Sequence, residues 1–272
     1  MFGHTFYHDT IRKYVILFGT LFNQININKD DTDRKRNITV KVPLSYGPKE
    51  KMLARLDGDP NLNRPAIVLP RMGFELSTVS YAGERKLNTL QKHVYIDSTN
   101  KDKIKYSYMQ VPYDFNFSLY VMVKNANDGT RILEQILPFF TPQWTSTVQL
   151  IPELNINLDI PVILNTVTSE DNYENDFITR RTLVWTLNFT LKGYVFGPVK
   201  SSEIIKLANT NFYDSTIYDD IDDSVGQLDV VSSVDVYPGL LANGSPTSNS
   251  TLTIGKDLID ANDNYGYVIT KA

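Results

Sequence analysis

Cysteine is absent from the 272-residue chain, and histidine occurs only three times. The first absence excludes disulfides, thiolate metal sites and a cysteine nucleophile. The second leaves a zinc site nothing but carboxylates and a few imidazoles. No run approaches the ~20 apolar residues that a membrane-spanning helix needs. A G-x-S-x-G elbow, a P-loop and a G-x-G-x-x-G turn are all missing. What is present is material for a core: 42% of residues are hydrophobic and 11% aromatic, which excludes a wholly disordered chain. The length fits one large domain or two modest ones.

Charge is unevenly spread around a net −4. Residues 1–92 carry 15 basic and 9 acidic side chains, whereas residues 201–272 carry 3 and 11. A chain basic at one end and acidic at the other suits head-to-tail contact with copies of itself or with other charged proteins. Chance drift of surface charge along a chain gives the same pattern. The basic pair Arg12-Lys13 ahead of Val15–Phe22 has the outline of a signal peptide. The run is short, however, and lacks a small-x-small cleavage site. Its apolar residues (Tyr7, Ile11, Tyr14, Val15, Phe18, Leu21, Phe22, Ile25) fall at helical spacing, so the segment reads as an amphipathic helix over 7–23. This points to a protein made and kept in a cytoplasm.

Further along, residues 28–37 read as a charged loop and 37–42 as a strand. Residues 48–56 read as a short helix, 57–65 as a loop, and 66–69 and 74–81 as strands. Residues 84–93 and 97–106 are polar and basic, which suits a loop or hairpin tip. Phe115, Phe117, Leu119, Val121 and Val123 alternate as one long strand. Asn127-Asp128 offers a helix cap, and Ile132, Leu133, Ile136, Leu137 and Phe140 follow at helical spacing until Pro138 kinks or stops the helix. Residues 160–167 read as a strand and 168–180 as an acidic loop. Leu183, Trp185, Leu187, Phe189 and Leu191 mark the clearest strand, with Val184, Thr186, Asn188, Thr190 and Lys192 on its wetter face. A short helix is expected over 202–208. Residues 243–250, NGSPTSNS, have the composition of a flexible linker. The expected fold class is therefore α+β. A mostly antiparallel twisted sheet is flanked by the N-terminal helix and a second central helix, followed by an acidic, extended C-terminal arm with short strands. The expected division is a compact domain over 1–208 and the arm over 209–272.

No chemical motif outweighs its plain alternative. His4 and His8 lie four apart, but the stretch reads HTFYH without the glutamate of a zinc helix or a third ligand. His93 stands alone in a basic stretch. Asp220-x-Asp222-x-Ser224 and Asp260-x-Asn262-x-Asn264 resemble the start of a calcium loop, yet glycine comes one position late and the closing glutamate is absent. Arg34, Lys35 and Arg36 are opposed by Asp30, Asp31 and Asp33, and phosphate binding needs unopposed cations. Arg180 and Arg181 follow an acidic loop, so a local or inter-subunit ion pair suits them better than a ligand. Carboxylates are plentiful, but none is paired in apolar surroundings for acid–base work. No catalytic residue, cofactor or metal is expected.

Five segments in order carry a resemblance. They are the N-terminal MFGHTFYH with RKY and LFGTLF, then ITVKVPLSYGPKEKMLARL at 38–56, and LPRMGFEL at 69–76 with SYAGERK after it. ILEQILPFFTPQW at 132–144 and RRTLVWTLNFTLKGYVFGPV at 180–199 complete the set. Over residues 1–200 the chain resembles the tail completion and sheath stabiliser proteins of T-even-like contractile-tailed phages.

The resemblance implies a structural protein, not an enzyme. Its subunits would form a six-membered ring at the head-proximal end of the tail, seated on the tail terminator and the last sheath ring. The ring would hold the sheath extended and offer a docking surface to neck and head-completion proteins. DNA would be a passenger through the channel only, and no membrane is involved. The interface residues expected for such a ring are Arg34, Lys35, Arg36, Arg180, Arg181, Asp219, Asp220, Asp222 and Asp223, with 34–36 and 219–223 meeting across subunits or on a neighbouring ring. Two alternatives stay open: a tail terminator ring contacting the tube end, and a β-rich carbohydrate- or receptor-binding virion module suggested by sixteen tyrosines.

Overall fold

Period-two alternation organises most of the chain. In this computed structural model the described residues are 5–31, 36–57, 69–96, 101–172, 182–213 and 230–271. They fall into two compact units, one from 1–91 with 108–197 and the other from 92–107 with 198–272.

The first unit is built on a six-stranded sheet. Its strands are β3 (Leu44–Tyr46), β4 (Arg71–Tyr81), β7 (Val111–Val123), β8 (Gln143–Ile151), β9 (Ile156–Asn172) and β10 (Thr182–Val195). They lie side by side in the order β3-β4-β7-β10-β9-β8. Only the β3–β4 pair is parallel. The four long neighbours β4, β7, β10 and β9 pair antiparallel, with Phe117 opposite Phe189 and Leu119 opposite Leu187. Three helices accompany the sheet: α1 (Thr10–Phe22), α2 (Lys49–Asp57) and α3 (Ala126–Ile136). A hairpin of β1 (Asn26–Asp31) and β2 (Arg36–Lys41) stands as a separate two-stranded sheet.

Helix α1 shows why the expected amphipathic segment docks here. Thr10, Tyr14, Phe18 and Phe22 recur every four residues and are its buried face. Phe18 stacks on Phe117 at 4.5 Å between ring centroids and meets Phe22, Phe74 and Phe189 at 5.0–5.4 Å. Each such pair adds roughly 0.5–1.5 kcal/mol to the area it buries. Tyr14 is also buried, and its hydroxyl donates to the Tyr194 carbonyl at 2.7 Å and accepts from the Tyr194 N–H at 2.8 Å. Gly193 makes room for it, since a Cβ there would lie 2.6 Å from the Tyr14 ring. Away from this cluster, α2 brings Met52 onto Tyr120, Met122 and Val184. Helix α3 begins at Ala126 with Asn125 as cap residue, just ahead of the expected Asn127-Asp128. It ends at Ile136, and Pro138 sits in the 3₁₀ turn Leu137–Phe139, as the proline's missing N–H requires.

The second unit holds two small sheets. One has the order β11-β6-β5, from β5 (Lys92–Ile96), β6 (Lys103–Tyr108) and β11 (Lys200–Glu203). The other has the order β12-β13-β14, from β12 (Ala208–Tyr213), β13 (Val230–Gly239) and β14 (Gly266–Lys271). The helix expected over 202–208 is absent. Residues 200–203 instead pair antiparallel with β6, Ser201 opposite Lys105 and Ser202 opposite Ile104. Local helical spacing loses here to a long-range partner that composition does not reveal.

The linker expected at 243–250 is instead a folded turn. Leu241 N–H bonds the Ser245 carbonyl at 2.9 Å, and Thr247 N–H bonds the Gly239 carbonyl at 3.1 Å. Asn243, Thr247 and Asn249 accept backbone N–H bonds two residues on, at 3.0–3.1 Å. The small polar residues that suggest flexibility are the same ones that make such side-chain turns. The charged loop expected at 28–37 is, in its described part, the β1–β2 hairpin, with Asp31 opposite Arg36.

Candidate assembly surfaces

The nine charged residues expected at an interface are placed unevenly. Arg34, Lys35, Arg180, Arg181, Asp219, Asp220, Asp222 and Asp223 lie outside the described residues. Arg36 opens β2, its backbone opposite Asp31 across the hairpin. His4 and the Asp220–Ser224 stretch also lie outside. His8 bonds the Gly197 carbonyl through Nε2 at 2.9 Å, a packing role. The other calcium-like stretch is a closed turn: Asp263 accepts from the Asp260 N–H at 2.9 Å, and the Asp260 carboxylate holds Lys101 at 3.0 Å. That bond is the main reason the Lys101 ammonium sits above the usual lysine range. Among the described residues, no group of three or more histidine, aspartate or glutamate side chains is arranged to hold a metal ion.

The most ordered polar surface lies on the sheet face opposite Phe117 and Phe189. Two rows of uncharged side chains cross four strands. In the first row Asn116 donates to Thr78 at 2.8 Å, Thr190 donates to Asn116 at 2.9 Å, and Asn165 donates to Thr190 at 2.7 Å. In the second, the Ser77 and Ser118 hydroxyls are 3.2 Å apart, Ser118 donates to Asn188 at 3.0 Å, and Asn188 donates to Thr166 at 3.1 Å. Cross-strand register sets both rows, because Thr190 faces Asn116 and Asn188 faces both Ser118 and Thr166. The wetter face of β10 announces Asn188 and Thr190 in the sequence. Their partners on β4, β7 and β9 belong to distant segments and become visible only with the pairing. The side chains of these two rows are uncharged and already hydrogen-bonded to one another.

The ionisable groups around it are engaged structurally. Tyr120 bonds Glu75, and burial, followed by that neighbour, pushes its hydroxyl up to about 12. Arg85 holds Asp114 at 2.6 Å and stacks over the Tyr194 ring at 5.2 Å. Lys49 pairs with Glu170. These contacts tie β4, α2, β7 and β9 together and leave the charges serving the fold.

Large apolar side chains also stand exposed. On α1 these are Ile11 and Ile16, on the side away from Tyr14 and Phe18. In the second unit they are Phe212 on β12 and Tyr267 and Ile269 on β14. No helix among the described residues is long and apolar enough to cross a membrane.

Comparison with known proteins identifies a family. The chain is 27% identical over 242 residues to the tail completion protein gp15 of Enterobacteria phage T4, covering 86% of each chain. The family model for the T4-like virus Myoviridae tail sheath stabiliser matches residues 5–251, nearly the whole length and parts of both units. The chain therefore belongs to the tail sheath stabiliser family of T4-like myoviruses, a family of structural tail proteins.

Proposed function

We propose that this tail sheath stabiliser works as a hexameric ring at the head-proximal end of the contractile tail. The ring caps the last layer of sheath, holds it extended, and offers its outer side to the neck and head-completion proteins. It contacts the tail terminator beneath it, and DNA crosses its channel without being bound. Assembly takes place in the host cytoplasm, where a chain without cysteine needs no oxidising compartment. The observation that carries this reading is the uninterrupted family match over residues 5–251.

The charge pattern supports a ring. A ring of one chain needs two different faces that fit one another, and the basic first third and acidic last quarter supply opposite signs. Arg34, Lys35 and Arg36 on one subunit and Asp219, Asp220, Asp222 and Asp223 on the next would set register. Exposed pairs contribute only about 0–1 kcal/mol each and would not hold the ring alone. Residues 209–272 would reach a neighbouring protein by strand addition. Truncation at Asn209 that leaves tails capped removes the arm from the mechanism, and charge reversal at 34–36 without effect on assembly removes the register pairs.

The test of the ring is mass against concentration, with negative-stain images of the same samples. Six copies of the 31.0 kDa chain make a closed ring of about 186 kDa. If such a ring forms neither in solution nor on sheath-covered tails, the reading fails.

A further inference from the structure

Sheet edges display unpaired N–H and C=O groups, and proteins usually blunt them with charge, proline, bulges or short length. The edges here are mostly blunted in these ways. At one end of the large sheet, β3 has three residues. The edges of the β11-β6-β5 sheet carry Lys200 and Glu203 on β11, and Lys92 and His93 on β5. The β1–β2 hairpin carries Lys29, Asp30, Asp31, Arg36 and Lys41. In the last sheet, β14 ends on Lys271, and β12 is interrupted by a bulge at Phe212/Tyr213.

Strand β8 is the exception. It closes the six-stranded sheet on the β9 side, and β9 is its one neighbour among the described residues. Its sequence, QWTSTVQLI, has no charge, proline or glycine across nine residues. Register runs unbroken from Gln143 opposite Ile163 to Gln149 opposite Asn157. Only at Leu150 does the edge close: a bulge interrupts the pairing there, and Lys13 Nζ donates to the Leu150 carbonyl at 2.7 Å. That leaves an unbulged, uncharged run of seven residues, roughly 23 Å long.

The two sides of this run differ. Thr145, Thr147 and Gln149 are exposed, and Thr147 donates to Asp159 at 2.6 Å. Trp144, Ser146 and Val148 are half-buried and stand opposite Val162, Ile160 and Leu158, the first two of which are fully buried. A strand added here would continue the backbone ladder. It would also bury apolar side chains beside Trp144 and Val148 while keeping polar ones beside Thr145 and Thr147. β12 is also uncharged, but all its side chains are exposed, so a strand added there would gain little burial.

We propose that residues 143–149 of β8 are a strand-addition site that receives an extended segment of another tail protein, with apolar and polar residues alternating. Pairing of one β8 with a second is isologous and stops at a dimer, so β8 of another copy is not the occupant; on the tail-seating reading the segment comes from another tail protein. This inference rests on the chain's seating on the tail, and the experiment separates the two.

The experiment is amide hydrogen exchange of the full chain, free and bound to purified sheath-covered tails made without it. Alongside it, binding of Thr145→Lys/Thr147→Lys to the same tails is measured. The expected result is fast exchange over 143–149 in the free protein and at least tenfold slowing on tails. The lysine variant should melt as the wild type does and bind tails at least tenfold more weakly. Binding to tails with exchange over 143–149 unchanged overturns the edge site and leaves the tail-seating reading intact. No binding of the wild-type protein overturns both. Slowed exchange in concentrated protein without tails makes a second copy the occupant and overturns the assignment to another protein. If the variant fails to fold, the wild-type exchange pattern decides alone.

Discussion

The two units bury their cores by different means. In the first, one helix drives Tyr14, Phe18 and Phe22 into a sheet whose facing strands supply Phe74, Phe115, Phe117 and Phe189; Phe18 meets Phe22, Phe74, Phe117 and Phe189, and Tyr14 meets Phe115. In the second, the buried hydrophobic side chains among the described residues are Leu240, Ile259 and Val268. Backbone approach takes their place, with Gly239 and Gly266 lying so near Thr247 that a Cβ on either would sit 2.3 Å and 2.9 Å from its carbonyl oxygen. An aromatic cluster excludes water over a wide area and makes a stable platform. A small sheet held by turns and backbone contacts leaves its side chains facing outward, where other proteins can cover them. Among the described residues the first unit holds most of the buried hydrophobic side chains, and the second leaves most of its own exposed or half-buried.

The contrast breaks most visibly at Phe18. Phe18→Ala should cost about 3–5 kcal/mol in urea denaturation followed by circular dichroism, because the cavity lies among four rings. A loss below about 1 kcal/mol would place the centre of the core elsewhere. Gly193→Ala tests the same unit by overpacking. The added methyl meets the Tyr14 and Phe115 rings at 2.6 Å and 2.7 Å, and rings held by the whole cluster do not yield cheaply. A loss of about 1–3 kcal/mol is expected.

Gly239→Ala probes the other side of the comparison. Its methyl meets backbone, so the cost is similar, but it should stay local. Amides of 230–271 should exchange faster while those of 111–123 and 182–195 keep their protection. Uniform loss across both units would show that they unfold as one.

The smallest effect is one of pH. Tyr120 is raised to about 12 and Tyr14 is raised by burial, opposed by its bond to Tyr194. A raised hydroxyl favours the fold while it is neutral. That stability is whole below the ordinary tyrosine value of about 10 and is lost as pH climbs through the folded value. Melting temperature should therefore fall between pH 10 and 12, and less steeply in Tyr120→Phe. An identical slope in the variant would remove Tyr120 from the alkaline transition.

Much of the scaffold is legible in the sequence. Unbroken alternation from Phe115 to Val123 and from Leu183 to Leu191 marks β7 and β10, and the four-residue spacing of Tyr14, Phe18 and Phe22 marks α1. β8 is not legible, because Trp144, Thr145, Ser146 and Thr147 show no clean apolar–polar alternation and its burial comes from β9. β11 is hidden for the same reason: its partner β6 lies about a hundred residues earlier. Of the expected interface, only Arg36 falls among the described residues, so the sequence's charge asymmetry remains the ground for that proposal. The polar rows from Thr78 to Asn165 depend on four strands in register, and no single segment contains that information.

Holding the sheath extended is the role proposed for this chain. The most direct measurement adds the purified protein to extended, sheath-covered tails made without it, then scores sheath length by electron microscopy over time. Density is expected at one end of each tail, with a sheath that stays extended while unsupplemented tails contract. Contraction at the same rate with the protein bound would contradict it.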